Sequence, residues 1–311
     1  MLTEVGWHNP HVVLKLMAPD ASGEAVEWHI EETNTNVQLR RGVVREDYEI
    51  GAEIRVAGFR GLRNRNAVFA TNTLLADGRE LIGVTSSGPR WSDDHVMTVG
   101  DYQAAQLNQP AAGEDGLFRV WSVAAALLRP GSSRANSPLW KESYPLTESA
   151  RLALANWDES AQNPYLDCQN GMPAIMDSPA PIAFTRDGRD ILLRLEEQDV
   201  IRRIEMDSAE LTDSPSGPYG TSTGRWEGET LVVHTTNIDW PWFDQSGVPQ
   251  SDALTLLERF SVSEDGQELI YSVEATDPDV FTETVVLEKR WVSIPGEEVK
   301  PYECNYVRED L

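Results

Sequence analysis

Between Pro181 and Ile294 the chain reads as eight short runs of alternating apolar and polar residues, at 181–185, 191–197, 200–206, 223–227, 230–236, 254–262, 269–275 and 284–292. Strands this short cannot each bury an apolar face alone, and closing them into one ring leaves no edge exposed. Asp187-Gly188 and Asp265-Gly266 stand between consecutive runs, where tight hairpin turns need a residue tolerant of positive φ. The expectation is a lipocalin-like antiparallel β-barrel over residues 181–311. A barrel of that size is filled by side chains or holds one small ligand.

Residues 1–85 read as a second, smaller β-domain. Runs at 11–17 and 25–30 flank the turn Pro19-Asp20-Ala21-Ser22-Gly23, and a short helix follows at 34–41, with Asn34 or a threonine as N-cap and Gly42 as its stop. Runs at 54–59, 67–75 and 80–84 resume the strand pattern, the last two joined by Asp77-Gly78. Strands, one helix, then strands is the order of an OB-like small barrel. Residues 86–180 have weak periodicity and read as an irregular connector, with loops at 109–113 and 130–133. Its one helix is expected from Glu148 to Trp157, capped by Thr147. The fold class is therefore mainly β.

Charge narrows the possible partners. The chain carries 51 acidic against 26 basic residues, a formal net charge of −25, which repels phosphate backbones and anionic lipid surfaces. Neither nucleic-acid binding nor a polybasic membrane anchor is expected, and no apolar run reaches the ~20 residues of a membrane helix. The five histidines are dispersed, the two cysteines are unpaired in sequence, and no nucleotide or nucleophile-elbow fingerprint is present. No metal and no cofactor is expected.

Strand alternation nominates the chemistry. Glu258 shares a face with Leu254, Leu256, Phe260 and Val262, Arg202 with Val200, Ile204 and Met206, and His234 with Val232. Ionisable groups turned into a barrel are costly unless paired, so they mark either a structural ion pair or a site. Glu258, His234, Arg202 and Asp244 are the candidate acid–base residues. The connection Asp239-Trp240-Pro241-Trp242-Phe243-Asp244 gathers three aromatics between two barrel strands. It serves either as a lid over an apolar ligand or as a plug of the barrel end. With Trp226, in Gly224-Arg225-Trp226-Glu227-Gly228, and Phe260, the residues Trp240, Trp242 and Phe243 are the candidate ligand contacts. Cys168 and Cys304 lie at the two ends of the expected barrel, where they form either a disulfide or two buried thiols.

Asn9-Pro10-His11-Val12, Val26-Glu27-Trp28, Leu39-Arg40-Arg41-Gly42 and Gly51-x-Glu53-Ile54-x-Val56-x-Gly58 resemble an uncharacterised family of exported bacterial proteins, a domain of unknown function. Tyr144-Pro145-Leu146-Thr147, Gly171-Met172-Pro173 near Cys168, and Glu258-Arg259-Phe260 resemble the longer region often joined to it. The resemblance implies two domains and a periplasmic or secreted protein. It brings no catalytic residue, and His234 and Gln250 stand where the resemblance leads one to expect Asp and His. Three functions follow: binding of a small, largely apolar molecule in the barrel; cofactor-independent acid–base catalysis as a hydratase, isomerase or hydrolase; or a purely structural or interaction role.

Overall fold

The computed structural model of the chain describes residues 1–61, 66–83, 88–107, 116–123, 139–141, 143–207 and 217–305. The loops expected at 109–113 and 130–133 lie outside these residues. The fold is mainly β and forms two compact units, one built chiefly from Met1–Asn108 and the other from Gln109–Val123 and Ser133–Pro301.

The first unit is a six-stranded sheet in the order β1-β2-β3-β5-β4, with β6 also on β5: β1 Leu2–Gly6, β2 Val13–Pro19, β3 Ala25–Glu31, β4 Arg55–Arg60, β5 Ala67–Leu74 and β6 Glu80–Ile82. No pairing among the described residues joins β1 to β4. Helix α1 (Thr35–Arg40) begins at Asn34, whose side chain accepts from the Val37 amide at 2.8 Å, and Gly42 ends it at φ +76°. That helix separates β3 from β4, and β5 then returns to pair parallel with β3. One edge of β5 is covered by β4 along its length, while the other is shared by β3 at Ala67–Phe69 and β6 at Asn72–Leu74. Leu2, Leu14, Ile30, Tyr48 and Leu81 form the core beneath. A second helix, α2 (Val99–Leu107), stands in the stretch read as irregular.

The second unit is a closed barrel of nine strands: β7 Val120–Ser122, β8 Ile182–Asp187, β9 Asp190–Leu195, β10 Val200–Met206, β11 Thr221–Glu227, β12 Thr230–Thr236, β13 Thr255–Val262, β14 Glu268–Thr276 and β15 Val285–Ser293. Eight of them are the runs read from the sequence. The ninth, β7, comes from the presumed connector and closes the ring between β15 and β8. Its arrival corrects the expectation of an all-antiparallel barrel. Strand direction cannot alternate fully around a ring with an odd number of members, so one junction must be parallel. That junction is β10–β11, paired only at Ile204–Met206 with Ser222–Gly224. The hairpin glycines Gly188 and Gly266 adopt φ of +63° and +71°, the conformation for which glycine is needed there.

Helix α3 (Glu148–Ala155) starts where Thr147 Oγ1 accepts from the Ala150 amide, and a short α4 (Glu159–Gln162) follows. Beyond it, Gly171–Met176 is buried: Met172, Ala174, Ile175 and Met176 are each at most 1% exposed.

Candidate functional site

Alternation along the barrel strands turns Arg202 (β10), Ser222 (β11), Thr235 (β12), Glu258 (β13), Tyr271 (β14) and Lys289 (β15) inward, among Phe184, Phe260 and Trp291. Arg202 holds Glu258 through both terminal nitrogens, Nη1–Oε1 at 3.1 Å and Nη2–Oε2 at 2.7 Å. Thr235 donates to Glu258 Oε2 at 2.7 Å and Tyr271 to Oε1 at 3.0 Å. Arg202 Nη2 also donates to Ser222 and Thr235, each at 3.2 Å. Desolvation pulls the guanidinium pKa down, but the charge and hydrogen bonds of Glu258 outweigh it and leave Arg202 raised. Burial, reinforced by the Glu258 charge, holds the Tyr271 phenol well above its ordinary value, so it stays protonated and donates.

Lys289 serves the same interior differently. Its ammonium donates to the carbonyls of Met176 at 3.0 Å and Ser178 at 2.9 Å, with Asp177 at 3.5 Å. Burial lowers its pKa to about 8, against the opposing pull of Asp177 and Glu197. Gln250 donates to the carbonyls of Met172 and Trp240 at 3.1 and 2.7 Å. The segment from Met172 to Ser178 is thus held to the barrel by Lys289, Gln250 and a contact of Arg202 Nη1 with the Met176 sulfur at 3.5 Å.

Of the other nominated residues, Phe260 lies in this interior and the rest are elsewhere. His234 is corrected: Leu231, Val233 and Thr235 form the inward face of β12, so His234 is on the opposite face and outside the Arg202–Glu258 cluster. Val232 beside it is only 1% exposed, so both faces of β12 are apolar and alternation could not distinguish inside from outside. Asp244 organises its own loop, accepting from the Ser246 amide and hydroxyl and the Val248 amide. Burial raises its pKa against those bonds.

The aromatic loop is turned into packing rather than held out as a lid. Phe243 is fully buried and meets Trp140, Tyr144 and Phe281 at ring-centroid distances of 5.8, 5.5 and 4.8 Å. Trp242 meets Trp157 edge-on at 6.3 Å, and Trp240 sits over Gly171. Phe260 is in the barrel core against Phe184 and Tyr271. Trp226 is 40% exposed near the turn into β12, beside Phe118, and does not reach the interior cluster. Cys168 and Cys304 are both disulfide-bonded. Among the described residues no group of three or more His, Cys, Asp and Glu is placed to hold a metal, and no helix is long and apolar enough to cross a membrane.

Two features escape a reading of the sequence. At the parallel junction, β10 residues Val200–Arg203 have no partner strand on the β11 side among the described residues. There a cleft of about 240 Å³ opens, lined by Ile201–Arg203, Glu205 and Gly217–Ser222. It shares Arg202 and Ser222 with the interior cluster. Its walls are fixed: Tyr219 donates to Asn170 at 2.9 Å, and Arg203 is paired with Asp187 and with Asp190. Gly220, at φ +66°, backs so closely onto the Thr236 carbonyl that a Cβ would fall 2.4 Å from it.

The other is in the first unit. Glu32 directly follows β3, at the handover from β3 to β6 along β5, and is 5% exposed. It accepts from Tyr48 and Thr73, each at 2.5 Å, and from Gln38 at 2.9 Å. Desolvation raises its pKa against those bonds and the nearby Arg41 charge. Arg41 donates to the carbonyls of Met97 and Ile82, each at 2.7 Å. The adjoining cavity is about 10 Å³, room for one water and not for an organic ligand.

Residues 1–68 match a family described as a family of unknown function (DUF6152). No curated protein and no solved structure matches the chain.

Proposed function

We propose that the barrel unit is the functional part of the chain and binds a small molecule, as a lipocalin-like carrier whose site is the cleft at the β10–β11 junction. The observation that carries this is the cleft of about 240 Å³ bounded in part by Arg202 and Ser222, residues that also belong to the buried polar cluster. Pockets with a few convergent polar groups and pre-set walls are where small ligands bind. The interior itself offers less: Phe184, Phe260, Tyr271 and Trp291 occupy it. Both oxygens of Glu258 are engaged by four donors, which argues for a structural carboxylate and against a general base. The OB-like unit is in this reading a companion domain. A disulfide fits an oxidising compartment, and with the resemblance to exported proteins it supports a periplasmic or secreted location.

The test is a screen of a metabolite library by native mass spectrometry, repeated on Ile201→Trp. Ile201 is 54% exposed at the cleft, so the larger ring fills the cleft without entering the core. Compounds bound by the wild type and lost in the variant support the proposal. Ligands that bind both proteins equally, or none at all, overturn it.

A further inference from the structure

We infer that the cleft at the parallel junction takes a short, extended, uncharged peptide, which pairs its backbone with the open edge of β10. This rests on the reading of the cleft as a ligand site and adds the chemistry of its occupant.

Strand β10 is paired with β9 from Val200 to Ile204, but with β11 only from Ile204 to Met206. Alternate residues of a strand turn their N–H and C=O to opposite sides, so two of the four residues Val200–Arg203 face β9 and the other two face the cleft. The far wall cannot serve those two. There the Gly220 N–H donates to the Gly217 carbonyl at 3.0 Å, the Met172 N–H occupies the Pro218 carbonyl at 2.8 Å, and Pro218 has no N–H. Tyr219, donating to Asn170 at 2.9 Å, anchors the same turn. The edge of β10 is therefore left to an outside partner among the described residues, and an open strand edge is a template for another extended chain.

The surroundings decide what kind of chain fits. At about 3.3 Å per residue, four residues span about 10 Å, the length of a three-residue peptide. A folded neighbour would have to lower a strand of its own between β10 and the 217–220 turn, and an edge this short is poor ground for such pairing. A free peptide meets no such obstacle. Along β10, Ile201 and Arg203 point outward and Val200 and Arg202 inward. On the inner side Arg202 Nη2 donates to Ser222 at 3.2 Å and spans the seam, so an inward side chain has to be as small as alanine. On the outer side Ile201, Pro218 and Tyr219 offer an apolar surface. Arg203 is matched by Asp187 and Asp190, and a net charge of −25 repels acidic peptides. The complement is a neutral peptide with a small residue between two apolar ones.

The probe is acetyl-Val-Ala-Val-N-methylamide, added to the full chain while amide hydrogen exchange along β10 is followed by NMR. Bound peptide is expected to slow exchange at two alternating amides among Val200–Arg203. Three analogues each carry one N-methyl group, on the first Val, the Ala or the second Val, where the methyl replaces the proton that a ladder bond needs. Pairing along one edge requires alternation: methylation of Ala and methylation of either Val act oppositely, one costing about tenfold or more in affinity and the other nothing. Equal tolerance of all three methyl groups, or equal loss with all three, overturns the inference. Protection of the same amides that grows with protein concentration and needs no peptide makes a second copy the occupant and overturns it as well. If the peptide leaves exchange unchanged while the library screen yields a ligand displaced by Ile201→Trp, the chemistry assigned here is wrong and the site stands. If the screen also fails, both fall together.

Discussion

Trp240 rests directly on Gly171: a Cβ built at residue 171 would lie 2.3 Å from the indole Cγ and 2.7 Å from the Pro218 carbonyl oxygen. The contact explains why Trp240 is not free to receive a ligand. Gly171→Ala forces the indole or the 217–220 turn to move, and overpacking of this kind costs about 1–3 kcal/mol. A lower midpoint of thermal unfolding is expected, with part of the loss recovered in the double variant Gly171→Ala/Trp240→Leu. No recovery would mean that the Pro218 backbone, and not Trp240, sets the spacing.

The Arg202–Glu258 pair is expected to behave as a buried ion pair does when one partner is removed. Arg202→Met or Glu258→Gln leaves its mate uncompensated and should destabilise the barrel by about 3–5 kcal/mol in urea unfolding. The double variant Arg202→Met/Glu258→Leu should lose less than either alone. If the double loses the full sum, the two side chains act independently, contrary to their geometry.

For Lys289 the sign of the pH effect follows from its depressed pKa. Below pH 8 the amine is charged whether folded or unfolded; between about 8 and its ordinary 10.5 the unfolded chain binds more protons. Stability contributed by this residue therefore rises with pH across that window. Lys289→Met should lack the rise, so that wild type gains on the variant from pH 8 to 9.5 in parallel denaturation curves. A constant gap between the two proteins would contradict it.

Glu32 gives the opposite slope. Its pKa is raised, so the folded first unit favours the protonated carboxyl; that stability is complete below the ordinary carboxylate value of 4.5 and lost as pH rises through the folded pKa. Glu32→Gln removes the titration while keeping an acceptor for Thr73. The variant should gain on wild type as pH rises above 4.5, and differential scanning calorimetry across that rise checks it.

The strands of the second unit were legible because alternation and the Asp-Gly turns are local signals, and the inward placement of Arg202 and Glu258 follows from one-sided apolar neighbours on β10 and β13. Strand β7 was not, since Val120-Trp121-Ser122 is too short to show a period and is a strand only because β15 and β8 flank it. His234 misled because Val232 is buried on the outer face. The fate of Phe243 depended on Trp140, Tyr144 and Phe281, distant in sequence. The Glu32 cluster draws on residues 32, 38, 48 and 73, of which no two share a motif; only the sheet handover on β5 gathers them.

The position of β7 also governs how the chain can be made. Its three residues leave the ribosome long before the partner at Val292 and Ser293, so during synthesis the growing barrel sheet keeps two open edges until nearly the whole chain has emerged. Open edges pair with whatever strand is near. The ring is thus completed by its earliest and latest strands together, and a nascent chain stalled anywhere before Ser293 is an aggregation-prone open sheet.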